Sequence, residues 1–105
     1  MRDRIPEIVA SKGDEAVTHI LEDDEYRAAL LNKLDEERKE LSAAAPSEFL
    51  SELADIQEVL RALAVAHGYS IDDLESEVMA KKLSRGGFTD RVFLEYTKDA
   101  SLDLD

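Results

Sequence analysis

Residues 22–45 read EDDEYRAALLNKLDEERKELSAAA. Leucine and alanine recur there at three- and four-residue spacing, acids fill the first turn, and nothing breaks the run before Pro46, so the stretch predicts a long helix. A second helix is expected from Ser47, a capping residue with Glu48 in the turn behind it, to about His67, where Gly68 stops it. A third opens near Ser70 or Asp72 and closes at Gly86–Gly87, with Phe88 tucking back onto it. Ahead of these, RIPEIVASKG predicts a short helix begun at Pro6 and broken at Gly13. AVTHIL (16–21) is β-branched enough for a short strand, FTDRVFLEYT (88–97) reads as extended, and KDASLDLD (98–105) reads as an acidic tail. The expected architecture is all-α: an antiparallel helical bundle in one domain spanning 1–105, with 1–22 as an N-terminal segment and room for a small two-stranded extension. A core this small gains from burying further surface in an oligomer.

Two of the helices carry acids where apolar residues belong. A helix turns about 100° per residue, so with Glu37 at zero, Leu30, Leu41 and Leu34 fall at about +20°, +40° and +60°. Glu37 lies inside that stripe; Glu40, at about −60°, lies on its edge with Lys33. The second helix repeats the arrangement. With Glu52 at zero, Leu63, Ile56 and Phe49 fall at about +20°, +40° and +60°, and Asp55 at about −60°. Glu37 stands nine residues before Pro46 and Glu52 six after it, so an antiparallel pair brings them to similar heights.

Four inward carboxylates repel one another and lose hydration, so they call for a positive charge among them. Hard oxygen donors without His or Cys suit Mg²⁺, with Mn²⁺ as a substitute. One acid pair at this spacing is common on a solvated helix face; two pairs turned toward apolar stripes across a short connection are not. Glu36, about 100° from Glu37, reads as solvated or accessory.

The third helix carries the opposite sign. With Leu74 at zero, Val78, Lys81 and Arg85 fall at about +40°, −20° and +20°, so a lysine and an arginine share the apolar face. They can lie over that face with their charges in water, or grip phosphate, arginine through two donors and lysine as a point charge. Acids for a metal and bases for phosphate make a site for a metal-bound polyphosphate.

Composition narrows the field. With 25 acids against 13 lysines and arginines, the net charge of −12 repels nucleic acid and anionic membranes. No apolar run approaches a membrane span. There is no cysteine, which excludes disulfides and thiolate chemistry and fits a cytoplasmic protein. No phosphate-loop or dinucleotide fingerprint and no Ser/His/Asp arrangement occurs.

EERKE (36–40) followed by ELAD (52–55) resembles the EExxE…ExxD signature of the all-α nucleoside triphosphate pyrophosphohydrolases, the superfamily of MazG, the dimeric dUTPases and phosphoribosyl-ATP pyrophosphohydrolase. RDRIPEIV, KLDEERKEL, ELADIQEVLRAL, AKKLSRGGF and RVFLEY together look like the MazG-like subgroup labelled phosphoribosyl-ATP pyrophosphohydrolase-like. The resemblance implies a homodimer or homotetramer whose subunits share the site, and Mg²⁺-dependent cleavage between the α and β phosphates of a nucleotide. By motif, Glu37, Glu40, Glu52 and Asp55 would hold the metal, and Glu36 or Glu37 would orient the water. Lys81 and Arg85, with Lys33 beside the acids, would hold phosphate. Arg2, Asp3 and Arg4 are left without a role. The substrate expected first is a noncanonical nucleotide removed by house-cleaning. The alternatives are phosphoribosyl-ATP hydrolysis and a non-catalytic helical module that binds nucleotide or metal.

Overall fold

The computed structural model describes residues 1–98 and contains four α-helices: α1 (Ile5–Ser11), α2 (Asp23–Ala43), α3 (Phe49–Ala66) and α4 (Ile71–Arg85). The chain divides into two units, Met1–Tyr69 and a second from Ser70 onward.

In the first unit α2 packs along α3. Asp23, Asp24 and Glu25 occupy the first turn of α2, where the helix dipole favours negative charge. The chain leaves the helix at Ala44 in extended conformation and tightens into a 3-10 turn at Pro46–Glu48 before entering α3. Pro46 supplies a fixed φ at the start of that turn. The turn takes up Ser47, so the residue before α3 is Glu48 and no side chain caps the helix, contrary to the expected serine cap. At the far end the Arg27 Nε donates to the Ala66 carbonyl over 3.0 Å. A guanidinium from the start of α2 thus satisfies an orphan carbonyl at the end of α3, which fixes the pair as antiparallel. Gly68 follows with φ +88°, a conformation that stops a helix at little cost only for glycine.

Leu30 and Val59 are the buried apolar residues among the described ones, at 3% and 7% exposure. Leu31, Leu50, Leu53, Leu60 and Val65 of the same unit remain exposed. Pro6 lies in the first turn of α1, which ends before Gly13, where φ is +85°.

The second unit begins with a reciprocal cap. The Asp73 amide donates to the Ser70 hydroxyl over 3.0 Å, and the Ser70 amide donates to the Asp73 carboxylate over 2.8 Å. The bond from the Ser70 amide first, and a bond with the Ser70 side chain second, hold the Asp73 carboxyl below its ordinary range. The helix closes at Gly86. That glycine has φ 82° and ψ 172°, so the chain departs extended rather than folding back. Phe88 is accordingly fully exposed instead of packing on the helix.

No strand occurs among the described residues. Residues 16–21 are irregular, and residues 88–97 begin with a turn, closed by the Arg91 amide on the Phe88 carbonyl, instead of running extended throughout. Val17, Ile20, Val92 and Phe93 are all largely exposed. β-Branched residues favour a strand only against a partner, and here none is beside them. Of the expected acidic tail, 99–105 lies outside the described residues.

Leu30→Ala is expected to lower stability by about 3 kcal/mol, since so little else is buried, as read by denaturant melting. Ser70→Ala removes one half of the cap and is expected to cost α4 about 1 kcal/mol, seen as lost helicity and faster amide exchange over 70–85.

Candidate metal centre

The hairpin geometry brings acids from both helices to one place. Glu37 lies in the seam at 4% exposure, and its Oε2 is buried with no hydrogen-bond partner. Glu52, half-buried on α3, also has a buried Oε2 without a partner. Asp55, one turn on, is half-buried too. One carboxylate oxygen from each of the three lies within 4.8 Å of the other two. Oxygens on opposite sides of one divalent ion stand about 4–5 Å apart, given metal–oxygen lengths of about 2.0–2.6 Å. Three hard donors at that span, two of them with an oxygen unmatched by protein hydrogen, fit an oxygen-seeking divalent cation.

Electrostatics shows how crowded the site is. Burial first, then the charge of Glu40, a hydrogen bond with Glu37 and the charges of Glu37 and Asp55, raise the Glu52 carboxyl above its usual range. Glu40 is exposed and stands outside the three-residue cluster, yet its carboxyl is also raised, by the charge of Glu37 first and a hydrogen bond with it second. A proton shared between neighbouring carboxyls relieves the repulsion when no cation does.

Two basic side chains offset part of the charge. The Lys33 Nζ lies 3.1 Å from the Glu37 Oε1 and 3.5 Å from the Glu36 Oε2. The bond to Glu37 is the main reason its ammonium is held above the usual lysine range. Lys33 therefore faces carboxylates rather than standing free for phosphate. Lys33 and Glu36 also line an open cleft of about 300 Å³ with Met1, Ala29 and Asn32. The second base is Arg2, whose Nη2 donates to the Asp55 Oδ1 over 2.8 Å. Sequence reasoning gave Arg2 no role. Its signal lay in the RDR stretch, but a residue outside the periodic helices has no face to compute.

Of the residues singled out in the sequence, Glu37, Glu52 and Asp55 come together, with Glu40 and Lys33 adjoining and Glu36 exposed beside Lys33. Lys81 and Arg85 lie exposed on α4, in the second unit. Among the described residues no helix is long and apolar enough to cross a membrane.

Comparison with known proteins gives a short likeness. Over 44 residues the chain is 57% identical to a protein of Mycolicibacterium smegmatis (strain ATCC 700084 / mc(2)155) described as uncharacterized. The match covers 42% of this chain and 45% of that protein, so it spans just under half the length of the curated relative. No family model matches the chain, and no solved structure matches it.

Raised carboxyl groups carry a defined pH signature. The folded chain holds protons on Glu52 and Glu40 at a pH where the unfolded chain has released them. Their contribution is therefore most favourable below the ordinary carboxylate range and is lost as pH rises through the raised values. Without metal, the melting temperature is expected to fall as pH rises from the ordinary carboxylate range through the raised values of Glu52 and Glu40, and MgCl₂ is expected to reverse much of that fall. Glu52→Gln should flatten the slope, raise the metal-free melting temperature at pH 8 and remove the Mg²⁺ response. Glu58→Gln, an exposed acid on the same helix, should do none of these.

Proposed function

We propose that the chain is a Mg²⁺-dependent nucleotide pyrophosphohydrolase of the MazG-like kind. On this reading it is cytoplasmic, accepts Mn²⁺ as a substitute, and cleaves between the α and β phosphates to give a nucleoside monophosphate and pyrophosphate. The single observation that carries the reading is the buried, unpartnered Glu37 Oε2, placed between two helices with oxygens of Glu52 and Asp55 close by. The spacing of these acids within EERKE and ELAD supports it.

Glu37, Glu52 and Asp55, with Glu40 at the rim, would hold a divalent ion, which would supply Lewis-acid polarisation of a phosphate and of a water. Glu36 is exposed and loosely held by Lys33, which leaves it able to orient that water and take its proton. Lys33 holds the Glu37 carboxylate by one oxygen and leaves the other without a hydrogen-bond partner, free to take a metal. Its ammonium also borders the open cleft, a place for part of the substrate. The exposed Leu31, Leu50, Leu53, Leu60 and Val65 support a homodimer or homotetramer, since isolated in water they leave the hairpin with a thin core. The substrate class proposed is a noncanonical nucleoside triphosphate, with phosphoribosyl-ATP next in order.

One observation favours a second reading. Glu37 and Glu52 belong to different helices, so a cation between them would tie α2 to α3 across a core in which only Leu30 and Val59 are buried apolar residues among those described. The ion would then be a brace and the chain a non-catalytic module.

Pyrophosphate release from a panel of canonical, deoxy, oxidised and phosphoribosyl nucleotides separates the two. Mg²⁺-dependent release is expected from at least one substrate. Glu52→Gln should reduce it by about a hundredfold or more, the scale on which one electrostatic contact to a transition state acts. Full activity in that variant would refute the assignment. A Mg²⁺-induced rise in melting temperature without turnover of any substrate would establish the brace instead.

A further inference from the structure

The cation nearest to Asp55 is one the chain supplies itself. Arg2 precedes α1, and its guanidinium spans to α3 to donate to the Asp55 Oδ1 over 2.8 Å. Asp55 is one of the three residues whose oxygens converge, so Arg2 is bonded to a carboxylate that the convergent site would offer to a metal. The convergence is not merely a solvated acid cluster. Glu37, one of its three members, is 4% exposed and has a buried Oε2 without a hydrogen-bond partner.

The two basic side chains at the site are held differently. Lys33 is three-quarters buried and sits one turn from Glu37 on the same helix, with an almost wholly buried partner. That pair is part of the hairpin. The Arg2 and Asp55 side chains are 51% and 37% exposed and 53 residues apart in sequence. An exposed pair of this kind adds little to stability and is easily exchanged. The arginine side chain is long enough to re-aim without the helices moving, and its planar fork suits a phosphate as well as a carboxylate.

We infer that Arg2 is a resident counter-cation of the site: it holds Asp55 while no divalent ion is bound, yields that carboxylate when one is, and then offers its guanidinium to a phosphate oxygen of the metal-bound ligand. The inference rests on the metal reading above and adds to it a positioning residue that the periodic helices do not contain. Electrostatically the exchange replaces one positive charge with two at a site of three converging acids. The freed arginine stays beside the ion, where polyphosphate charge arrives.

Mn²⁺ binding to the full chain, followed by calorimetry and by the Mn²⁺ spin-resonance signal, tests it in wild type, Arg2→Ala and Arg2→Lys. Removing a competing charge a few ångströms away should tighten Mn²⁺ binding about fivefold or more in Arg2→Ala, after allowance for screening. Arg2→Lys should stay near wild type. In wild type, the Arg2 Nε–Hε resonance should shift on Mg²⁺ titration with the midpoint that calorimetry gives. Inorganic pyrophosphate should bind Mg²⁺-loaded Arg2→Ala several-fold more weakly than Mg²⁺-loaded wild type. Unchanged or weaker Mn²⁺ binding in Arg2→Ala, with wild type still binding, overturns this inference and leaves the metal reading standing. Tighter Mn²⁺ binding with unchanged pyrophosphate affinity overturns the transfer to phosphate. Absence of Mn²⁺ binding in wild type and variants alike overturns both readings. Melting curves of the three proteins confirm that each is folded.

Discussion

Burying one oxygen of Glu37 between α2 and α3 without a hydrogen-bond partner is the constraint around which the first unit is organised. A carboxylate withdrawn from water loses hydration worth several hydrogen bonds, and packing does not return it. Lys33 meets the other oxygen of the same group. Glu52 and Asp55 approach from the opposite helix and add repulsion instead of relief. A chain stabilised only by its own contacts gains nothing from this arrangement. The unmatched oxygen lies on the seam of the two helices that pack together, in a cluster of oxygen donors of the kind a hard cation takes.

The thin core follows from the same choice. Positions on the inner faces of α2 and α3 that carry acids cannot also carry leucine, so the hairpin buries few apolar side chains in full. Long-range ties such as Arg27 to the Ala66 carbonyl then matter more, because they fix how the helices lie without adding apolar area. Apolar side chains that other bundles would place inside are left at the surface, available for contact with further protein.

Much of this was legible in the residues, and the parts that were not share a cause. Periodicity located α2, α3 and α4 because leucine spacing, Gly68 and Gly86 are local signals. The same geometry put Glu37 inside the stripe and Glu40 at its edge, and burial follows that order. Ser47 was misjudged because a proline one residue earlier can begin a 3-10 turn as readily as precede a cap. The strands expected at 16–21 and within 88–97 rested on β-branched composition alone, and composition cannot supply the neighbouring backbone that makes a strand. Arg2 was missed for a related reason: its partner is 53 residues away, and only the folded hairpin brings them together.

The short connection at Pro46–Glu48 has an effect reaching past its three residues. It sets the phase of α3 against α2. Adding or deleting one residue there would disturb how α3 lies against α2 and draw Glu52 and Asp55 away from Glu37 while leaving both helices intact. A chain altered there would keep its helical spectrum while losing the convergence of Glu37, Glu52 and Asp55.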